Sequence, residues 1–199
     1  MTRRALRTLA LGGLIAAAAC KGPVVQSPLT GQSRYLCCNL RYEKPVITDN
    51  PYQVGTLIPV GTRVEIVEVR TDSVKFRAEG HPEITIVEKF GRKQLPFDQF
   101  VSRIFVETDP RTRLARPAPS RSRGKRRGQA AEPASSRLAL VERGVVEPGM
   151  TRDEVIMTLG YPPANKTPSL DQPEWHYWKN RWDQYTVVFE GDRVARIVD

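Results

Sequence analysis

The residue types that most often carry out catalysis are scarce in this chain. It contains two histidines and three cysteines, and the histidines, His81 and His176, stand far apart in segments with different predicted structure. No Gly-x-Ser-x-Gly, His-Glu-x-x-His or phosphate-binding glycine loop is present, and the acidic residues form no convincing pair. His176 lies among aromatic residues of a predicted strand, which favours a solvent-facing position over a general base. The sequence therefore predicts no enzyme activity, no metal site and no dissociable cofactor.

The cysteine whose surroundings do indicate chemistry is Cys20. The basic residues Arg3, Arg4 and Arg7 are followed by Thr8–Ala19, a run of twelve uncharged residues rich in Leu and Ala. As a helix this run would be about 18 Å long, too short for a bilayer core of about 30 Å. A basic end followed by a short apolar run is typical of a secretory signal peptide. We therefore expect export rather than a membrane span.

The segment Ala17–Cys20 resembles the lipobox of bacterial lipoproteins, with Ala17 where that pattern prefers Leu. The resemblance implies that residues 1–19 are removed and that the Cys20 thiol carries a diacylglycerol, with an N-acyl chain such as palmitate. Two or three chains give stable anchoring, whereas one does not. Lys21 stands where Asp would favour the inner membrane, which implies a periplasm-facing position at the outer membrane. The alternative is a signal cleaved elsewhere, which would leave a soluble periplasmic protein.

The net charge of +9 comes from two segments. Three arginines precede the apolar run, and eight Lys or Arg residues lie within residues 111–127 with no acidic residue among them. The rest of the chain has 20 basic and 22 acidic residues, a net charge of −2. The high basicity thus describes particular segments and not the folded parts. Because an exported protein rarely meets nucleic acid, we expect no nucleic-acid partner.

A change in composition marks the domain organisation. Residues 111–134 are rich in Arg, Pro, Ser and Gly, a composition that cannot bury enough apolar surface to offset chain ordering. We predict a signal peptide over 1–19, a tether over 20–33, a β-rich N-terminal domain over 34–110, a basic disordered linker over 111–134 and a C-terminal domain over 135–199. The linker is either a solvated spacer or a contact with anionic lipid headgroups or cell-wall carboxylates. The residues that would make that contact are Arg121, Arg123, Lys125, Arg126 and Arg127.

The N-terminal domain is predicted to be built mainly from short strands. Apolar and charged residues alternate over Arg63–Arg70, which predicts a half-buried strand. Further strands are predicted over Val74–Ala78 and Ile84–Phe90, and Asp98–Phe105 carries an apolar helical face. The stretch Val54–Val67 resembles the opening of a bacterial SH3-like module, which implies a small β-rich fold.

The adjacent cysteines Cys37 and Cys38 also lie in this domain. Neighbouring Cα atoms are 3.8 Å apart, so a bridge between these two residues would be strained. The remaining options are burial of both thiols in a strand and a disulfide to another chain. Burial is the expectation, because free cysteine behaves as a small apolar residue.

The C-terminal domain has the clearest pattern. A first helix is predicted over Ser136–Val145. A second begins at Thr151, which with Glu154 forms a capping box, and ends at Gly160 before two prolines. Met150 and Val155 are placed to pack as a hydrophobic staple, and Ile156 and Leu159 are predicted to face inward. The predicted strands that follow are Glu174–Lys179, Gln184–Glu190 and Arg193–Val198, in an α+β arrangement of two helices and a three-stranded antiparallel sheet.

These residues resemble the SmpA/OmlA family, which includes BamE-like lipoproteins. The resemblance covers the C-terminal domain only and is carried by Gly149, Thr151, Glu154, Val155, Leu159, Gly160, Pro162, Trp175, Tyr177 and Phe189. It implies a fold shared with β-lactamase-inhibitor-like domains and a binding role without catalysis. It also implies partners in the outer-membrane β-barrel assembly machinery. In this chain a whole extra domain separates the resembling part from Cys20, a departure from the short tether usual in that family.

Aromatic residues gather on the first predicted strand of this domain. Alternation places Trp175 and Tyr177 on one face of the sheet and His176 and Trp178 on the other. We predict that His176 and Trp178, with Val188, form a docking face for a protein partner. The alternative is that the N-terminal domain or the loop 164–173 covers this face.

Three functions follow from these features. The leading interpretation is an outer-membrane lipoprotein that acts as a non-catalytic scaffold or accessory subunit in outer-membrane protein assembly or envelope integrity. The alternatives are a tether that binds peptidoglycan and an inhibitor of a periplasmic enzyme.

Overall fold

A computed structural model describes residues 23–49, 52–89, 96–114 and 134–199 of the chain. Its fold is mixed α+β, as predicted, with four helices and three sheets among these residues. We call residues 23–114 the N-terminal unit and residues 134–199 the C-terminal unit. The predicted signal peptide and Cys20 lie outside the described residues.

Eight short strands form the N-terminal unit. They are β1 (Ser33–Leu36), β2 (Leu40–Tyr42), β3 (Val46–Thr48), β4 (Thr56–Ile58), β5 (Arg63–Val69), β6 (Ser73–Ala78), β7 (Ile84–Val87) and β8 (Phe105–Val106). Six of them make one sheet in the order β3-β7-β6-β5-β1-β8, with β3 parallel to β7, and β2 pairs with β4. The helix α1 (Phe97–Ile104) buries Val101 against the same core as Ile66 and Phe76. The strands and helix predicted here are therefore present, with shifted ends.

The strand β5 departs from strict alternation at one residue. Its register with β6 shifts between Ile66 and Glu68, which makes Val67 the extra residue of a β-bulge. Simple alternation would turn Val69 away from the core that receives Ile66. Because of the bulge both are buried, at 5% and 0% exposure.

Residues 23–31, which we call the strap, lie along the second half of β5. The Val25 amide donates to the Val69 carbonyl at 3.0 Å, and the Gly31 amide donates to the Ile66 carbonyl at 2.7 Å. The Thr71 amide donates to the Pro23 carbonyl at 3.1 Å. Residues from Pro23 onward, expected to belong to a tether over 20–33, are therefore hydrogen-bonded to the sheet instead.

The N-terminal unit also continues further than predicted. The helical turn α2 (Arg111–Leu114) falls within the stretch expected to be disordered. The Arg111 guanidinium pairs with the Asp109 carboxylate at 2.7 Å and lies 3.6 Å from the Glu142 carboxylate, while Leu114 packs against the core of the C-terminal unit. An ion pair and apolar packing thus hold the start of this segment in place.

The C-terminal unit follows the predicted order of elements. Its members are α3 (Ala134–Arg143), α4 (Arg152–Leu159), β9 (Glu174–Trp178), β10 (Gln184–Glu190) and β11 (Arg193–Val198). The strands form an antiparallel sheet in the order β11-β10-β9, so two helices followed by a three-stranded meander are confirmed. Both hydrogen bonds of the capping box between Thr151 and Glu154 are present. Gly160 ends α4 with φ +82°, a conformation that L side chains rarely adopt.

The two units share a core. Val60, between β4 and β5, is fully buried in the apolar cluster of the C-terminal unit, together with Val141 and Trp175. Cys37 and Cys38 lie beside this junction, buried and free, at 7% and 5% exposure. Their predicted burial is confirmed, but they occupy a bend after β1 and not a strand, because the chain turns here toward the other unit.

Candidate functional site

Alternation along β9 separates its aromatic side chains between two environments. Trp175 and Tyr177 are 0% and 2% exposed and face the helices, whereas His176 and Trp178 are half-buried on the opposite side. On β10, Val187 and Phe189 join the buried set. The prediction of which side chains share which face is confirmed for these strands.

The side of the sheet away from the helices is the open face. His176 lies opposite Thr186, and Thr186 lies opposite Val198; Val188 stands between Glu174 and Arg196. The open face is formed by Glu174, His176, Trp178, Gln184, Thr186, Val188, Arg196 and Val198. It therefore brings together the three residues predicted to dock a partner. All eight keep some solvent exposure.

The loop between α4 and β9 covers part of this face. The Thr167 hydroxyl accepts a hydrogen bond from the His176 amide at 3.1 Å, on the free edge of β9. The Lys166 ammonium lies 5.7 Å from the ring centroid of Trp178, a cation–π contact. The same edge is met from the N-terminal unit, where the Gln53 amide donates to the Trp178 carbonyl at 3.0 Å. The loop and the N-terminal unit thus cover the free edge of β9, as the predicted alternative proposed. The rest of the open face stays accessible.

Trp178 carries an unusual feature on this face. Its indole Nε1 is buried and has no hydrogen-bond partner among the described residues. A buried N–H without an acceptor costs about 1–3 kcal/mol.

The two histidines take separate hydrogen bonds. His176 Nδ1 lies 3.0 Å from the Thr186 hydroxyl, and His81 Nδ1 lies 3.0 Å from the Tyr42 hydroxyl in the N-terminal unit. Within the described residues no group of three or more His, Cys, Asp or Glu side chains is placed to hold a metal ion. His176 is half-buried on its strand and contacts a neighbouring strand residue.

On the helix side, Arg152 at the start of α4 fixes the loops around the sheet. Its guanidinium lies 4.3 Å from the Phe189 ring centroid and 5.2 Å from that of Trp175. It also donates to the Leu170 carbonyl at 2.6 Å and the Gln172 carbonyl at 2.9 Å. Sequence reasoning missed this residue, although an arginine one position after a helix N-cap and near an aromatic-rich strand was the available signal.

The residues that carry the family resemblance have structural roles in the C-terminal unit. Gly149 adopts φ +89° while its amide bonds the Val194 carbonyl at 2.8 Å, which joins the loop before α4 to β11. Val155 and Leu159 are buried against the sheet, and Pro162 is buried after the helix. Ile156, expected to face inward, is only partly buried. Met157 is buried instead, because the N-terminal unit packs on that side of α4.

Asn39 joins the two units and was not identified from the sequence. It is 5% exposed, and its side-chain amide donates to the Val141 carbonyl at 2.6 Å and to the Thr158 carbonyl at 3.0 Å. Its side-chain oxygen accepts from the Val60 amide at 2.8 Å, and its backbone amide donates to the Met157 carbonyl at 2.9 Å. A buried asparagine with its groups satisfied in this way fixes the position of each unit relative to the other.

A cavity of about 150 Å³ opens beside this junction, with Cys37, Arg103 and Tyr161 in its lining. Burial raises the pKa of the Cys37 thiol well above its usual value, with the neighbouring Cys38 adding to the effect. Burial also raises the pKa of Tyr161 to about 12, although Arg103 lies 5.3 Å from its ring centroid and opposes the shift. Both groups are therefore neutral at physiological pH, which favours hydrogen bonding over nucleophilic chemistry.

The remaining predicted residues lie outside the described part of the chain. These are the lipidation residue Cys20 and the basic residues Arg121, Arg123, Lys125, Arg126 and Arg127. None of the helices among the described residues is long and apolar enough to cross a bilayer. Comparison of the chain with protein-family models, with curated proteins and with solved structures gives no significant match.

Proposed function

We propose that this chain is a lipid-anchored, non-catalytic protein of the bacterial envelope that docks a protein partner on the open face. The one-sided covering of the C-terminal sheet carries this proposal. The helices bury Trp175 and Tyr177, whereas His176, Trp178 and Val188 are only half-buried on the other side. Partly exposed aromatic and aliphatic side chains on a rigid sheet are suited to protein contacts.

The lipid on Cys20 is the proposed attachment to the periplasmic side of the outer membrane. The short apolar run, the small residues before Cys20 and Lys21 after it support this part. We further propose that the basic residues between 121 and 127 add a contact with an anionic surface. Attraction of about 1 kcal/mol per basic residue near anionic lipid would strengthen an existing anchor.

The partner we propose is a subunit of the outer-membrane β-barrel assembly machinery. Support comes from the resemblance of residues 149–189 to the SmpA/OmlA family and from the order of elements, two helices followed by an antiparallel meander. For the N-terminal unit, the consecutive antiparallel strands β5, β6 and β7 are compatible with the SH3-like resemblance.

Affinity purification of the full chain from detergent-solubilised membranes tests this function. We expect recovery of barrel-assembly subunits. Sedimentation with purified sacculi would instead support the peptidoglycan tether, and co-elution of a single hydrolase would support the inhibitor. Either of those results without barrel-assembly subunits contradicts the proposal.

Variants of the open face make the test specific. Trp178→Ala is expected to reduce partner recovery at least about fivefold, since hot-spot aromatics contribute 1 kcal/mol or more to binding. Trp182→Ala is the matched control, because Trp182 is 79% exposed on the turn between β9 and β10 and not on the open face. Val188→Ser gives a second variant in case the alanine at 178 lowers the thermal transition. Equal recovery with all three variants would remove the open face as the docking site.

A further inference from the structure

The strap fixes where the described chain begins on the molecule. It runs antiparallel to β5, so Pro23 lies at the end of the sheet where β5 turns into β6. There the Pro23 carbonyl accepts from the Thr71 amide at 3.1 Å, and Val24 bridges to Arg70. The strap end of the N-terminal unit is therefore a defined surface and not a point on a free tether.

Three other strands reach the same end. The first residue of β6, Ser73, lies opposite the last residue of β7, Val87, which in turn lies beside the last residue of β3, Thr48. The Glu88 amide donates to the Asp72 carbonyl at 2.8 Å and closes this end of the sheet. Strand ends and polar turns thus form a broad surface, with Val24 58% exposed beside them.

The C-terminal unit joins the opposite end of β5. The residues just before β5 contact that unit, since Val60 lies in its core. The seven residues of β5 separate the two ends by about 20 Å, at a rise of about 3.3 Å per residue. The hydrogen bonds of Asn39 fix the C-terminal unit at this far end.

The length of chain between the anchor and the strap is short. Only Lys21 and Gly22 separate Cys20 from Pro23. Consecutive Cα atoms are 3.8 Å apart, so three steps reach at most about 11 Å. A lipid on Cys20 would place its acyl chains in the bilayer, and Pro23 could then lie no further than this from the headgroups.

We propose that the strap end of the N-terminal unit faces the headgroup layer of the membrane, and that this unit is a rigid spacer. With β5 along the membrane normal, it holds the C-terminal unit about 20 Å beyond the strap end. The inference rests on the proposed lipid anchor at Cys20. The lipid anchor alone does not determine the orientation of the protein on the membrane.

Two hairpin turns at opposite ends of β6 provide a matched test. Thr71 lies at the strap end and Glu79 lies at the other end, and both are exposed. Full-length lipidated protein carrying Thr71→Cys or Glu79→Cys is labelled with one fluorophore and reconstituted into phosphatidylcholine–phosphatidylglycerol vesicles that contain a headgroup spin label. The unsubstituted chain, in which Cys37 and Cys38 are buried, controls for background labelling.

We expect the spin-labelled headgroups to quench the label at position 71 at least about twofold more than the label at position 79, because the six residues of β6 separate the two positions by about 20 Å and collisional quenching requires contact. Equal quenching, or stronger quenching at position 79, would overturn the orientation. Vesicle flotation is measured on the same samples. Protein that fails to float contradicts the lipid anchor and the inference together, whereas floating protein with equal quenching contradicts the inference alone.

Discussion

The two ends of α4 satisfy their backbone groups in different ways. At its N-terminus, the Thr151 hydroxyl accepts from the Glu154 amide and the Glu154 carboxylate accepts from the Thr151 amide, three residues apart. At its C-terminus, the free carbonyls of the last turn accept hydrogen bonds from Asn39 and Gln53 of the N-terminal unit. One end is closed locally and the other by distant parts of the chain.

The two ends of α4 therefore contribute to stability in different ways. The capping box stabilises the helix as an isolated element and sets where it begins. The C-terminal bonds form only when both units are folded and in contact, so they couple the stability of one unit to the other. The helix therefore connects the N-terminal unit to the sheet that carries the open face.

Asn39→Ala is expected to have the largest effect on this coupling. It removes three side-chain hydrogen bonds and leaves the Val60 amide and the Thr158 carbonyl buried without that partner, whereas the Val141 carbonyl keeps the Gly144 amide at 2.9 Å. At about 1–3 kcal/mol for each of these two unsatisfied buried groups, the free energy of unfolding should fall by about 2 kcal/mol or more. A urea titration of the full chain measures this free energy of unfolding.

The matched control is Asn165→Ala, since Asn165 is exposed in the loop after α4. It should change the free energy of unfolding by less than about 0.5 kcal/mol. A loss below 1 kcal/mol for Asn39→Ala would show that water or a shifted backbone replaces its bonds, and that the two units are coupled weakly.

Thr151→Ala addresses the local end of the helix. Loss of an N-cap side chain costs about 1 kcal/mol, so we expect an effect smaller than that of Asn39→Ala. Thr151→Ser keeps the hydroxyl and should restore most of the loss in the same titration. If serine were as damaging as alanine, the threonine methyl group and not the cap would be the stabilising contact.

Gln53→Ala should give the smallest change. Its side chain donates to the Leu159 carbonyl at 3.0 Å, but Gln53 is half-buried, so water can take over the bond. We expect a loss of about 0.5–1 kcal/mol in the free energy of unfolding. Hydrogen exchange of the backbone amides in the last turn of α4 would report the loosened helix end directly. A loss as large as that of Asn39→Ala would mean that the edge of β9 also depends on this residue.

The C-terminal unit was largely predictable because its signals are local. The capping box, Gly160 and the alternation along β9 and β10 each depend on residues within one element. The strap was not predictable, because residues 23–31 mix Val, Leu, Pro and polar residues without a period, and they gain order from pairing with β5. The bulge at Val67 was missed for a similar reason, since β6 supplies the register that defines it.

The candidate site likewise has features that the sequence predicts and features that it does not. The sequence placed His176, Trp178 and Val188 on one face, because side-chain direction in a strand follows from position alone. It could not show that Lys166 lies over Trp178 or that the indole Nε1 has no partner among the described residues. Those facts depend on the path of a loop, which no periodicity encodes.

The packing of α2 against α3 changes the meaning of the basic stretch between them. Arg111 lies 3.6 Å from Glu142, and Leu114 packs into the same core as Val141, so the chain leaves and re-enters the fold at neighbouring places. The described segments on either side of residues 115–133 therefore pack against each other within one fold. Because doubling the length of a connection between two fixed ends costs only about 0.6 kcal/mol, the fold sets little limit on how much sequence can join α2 to α3.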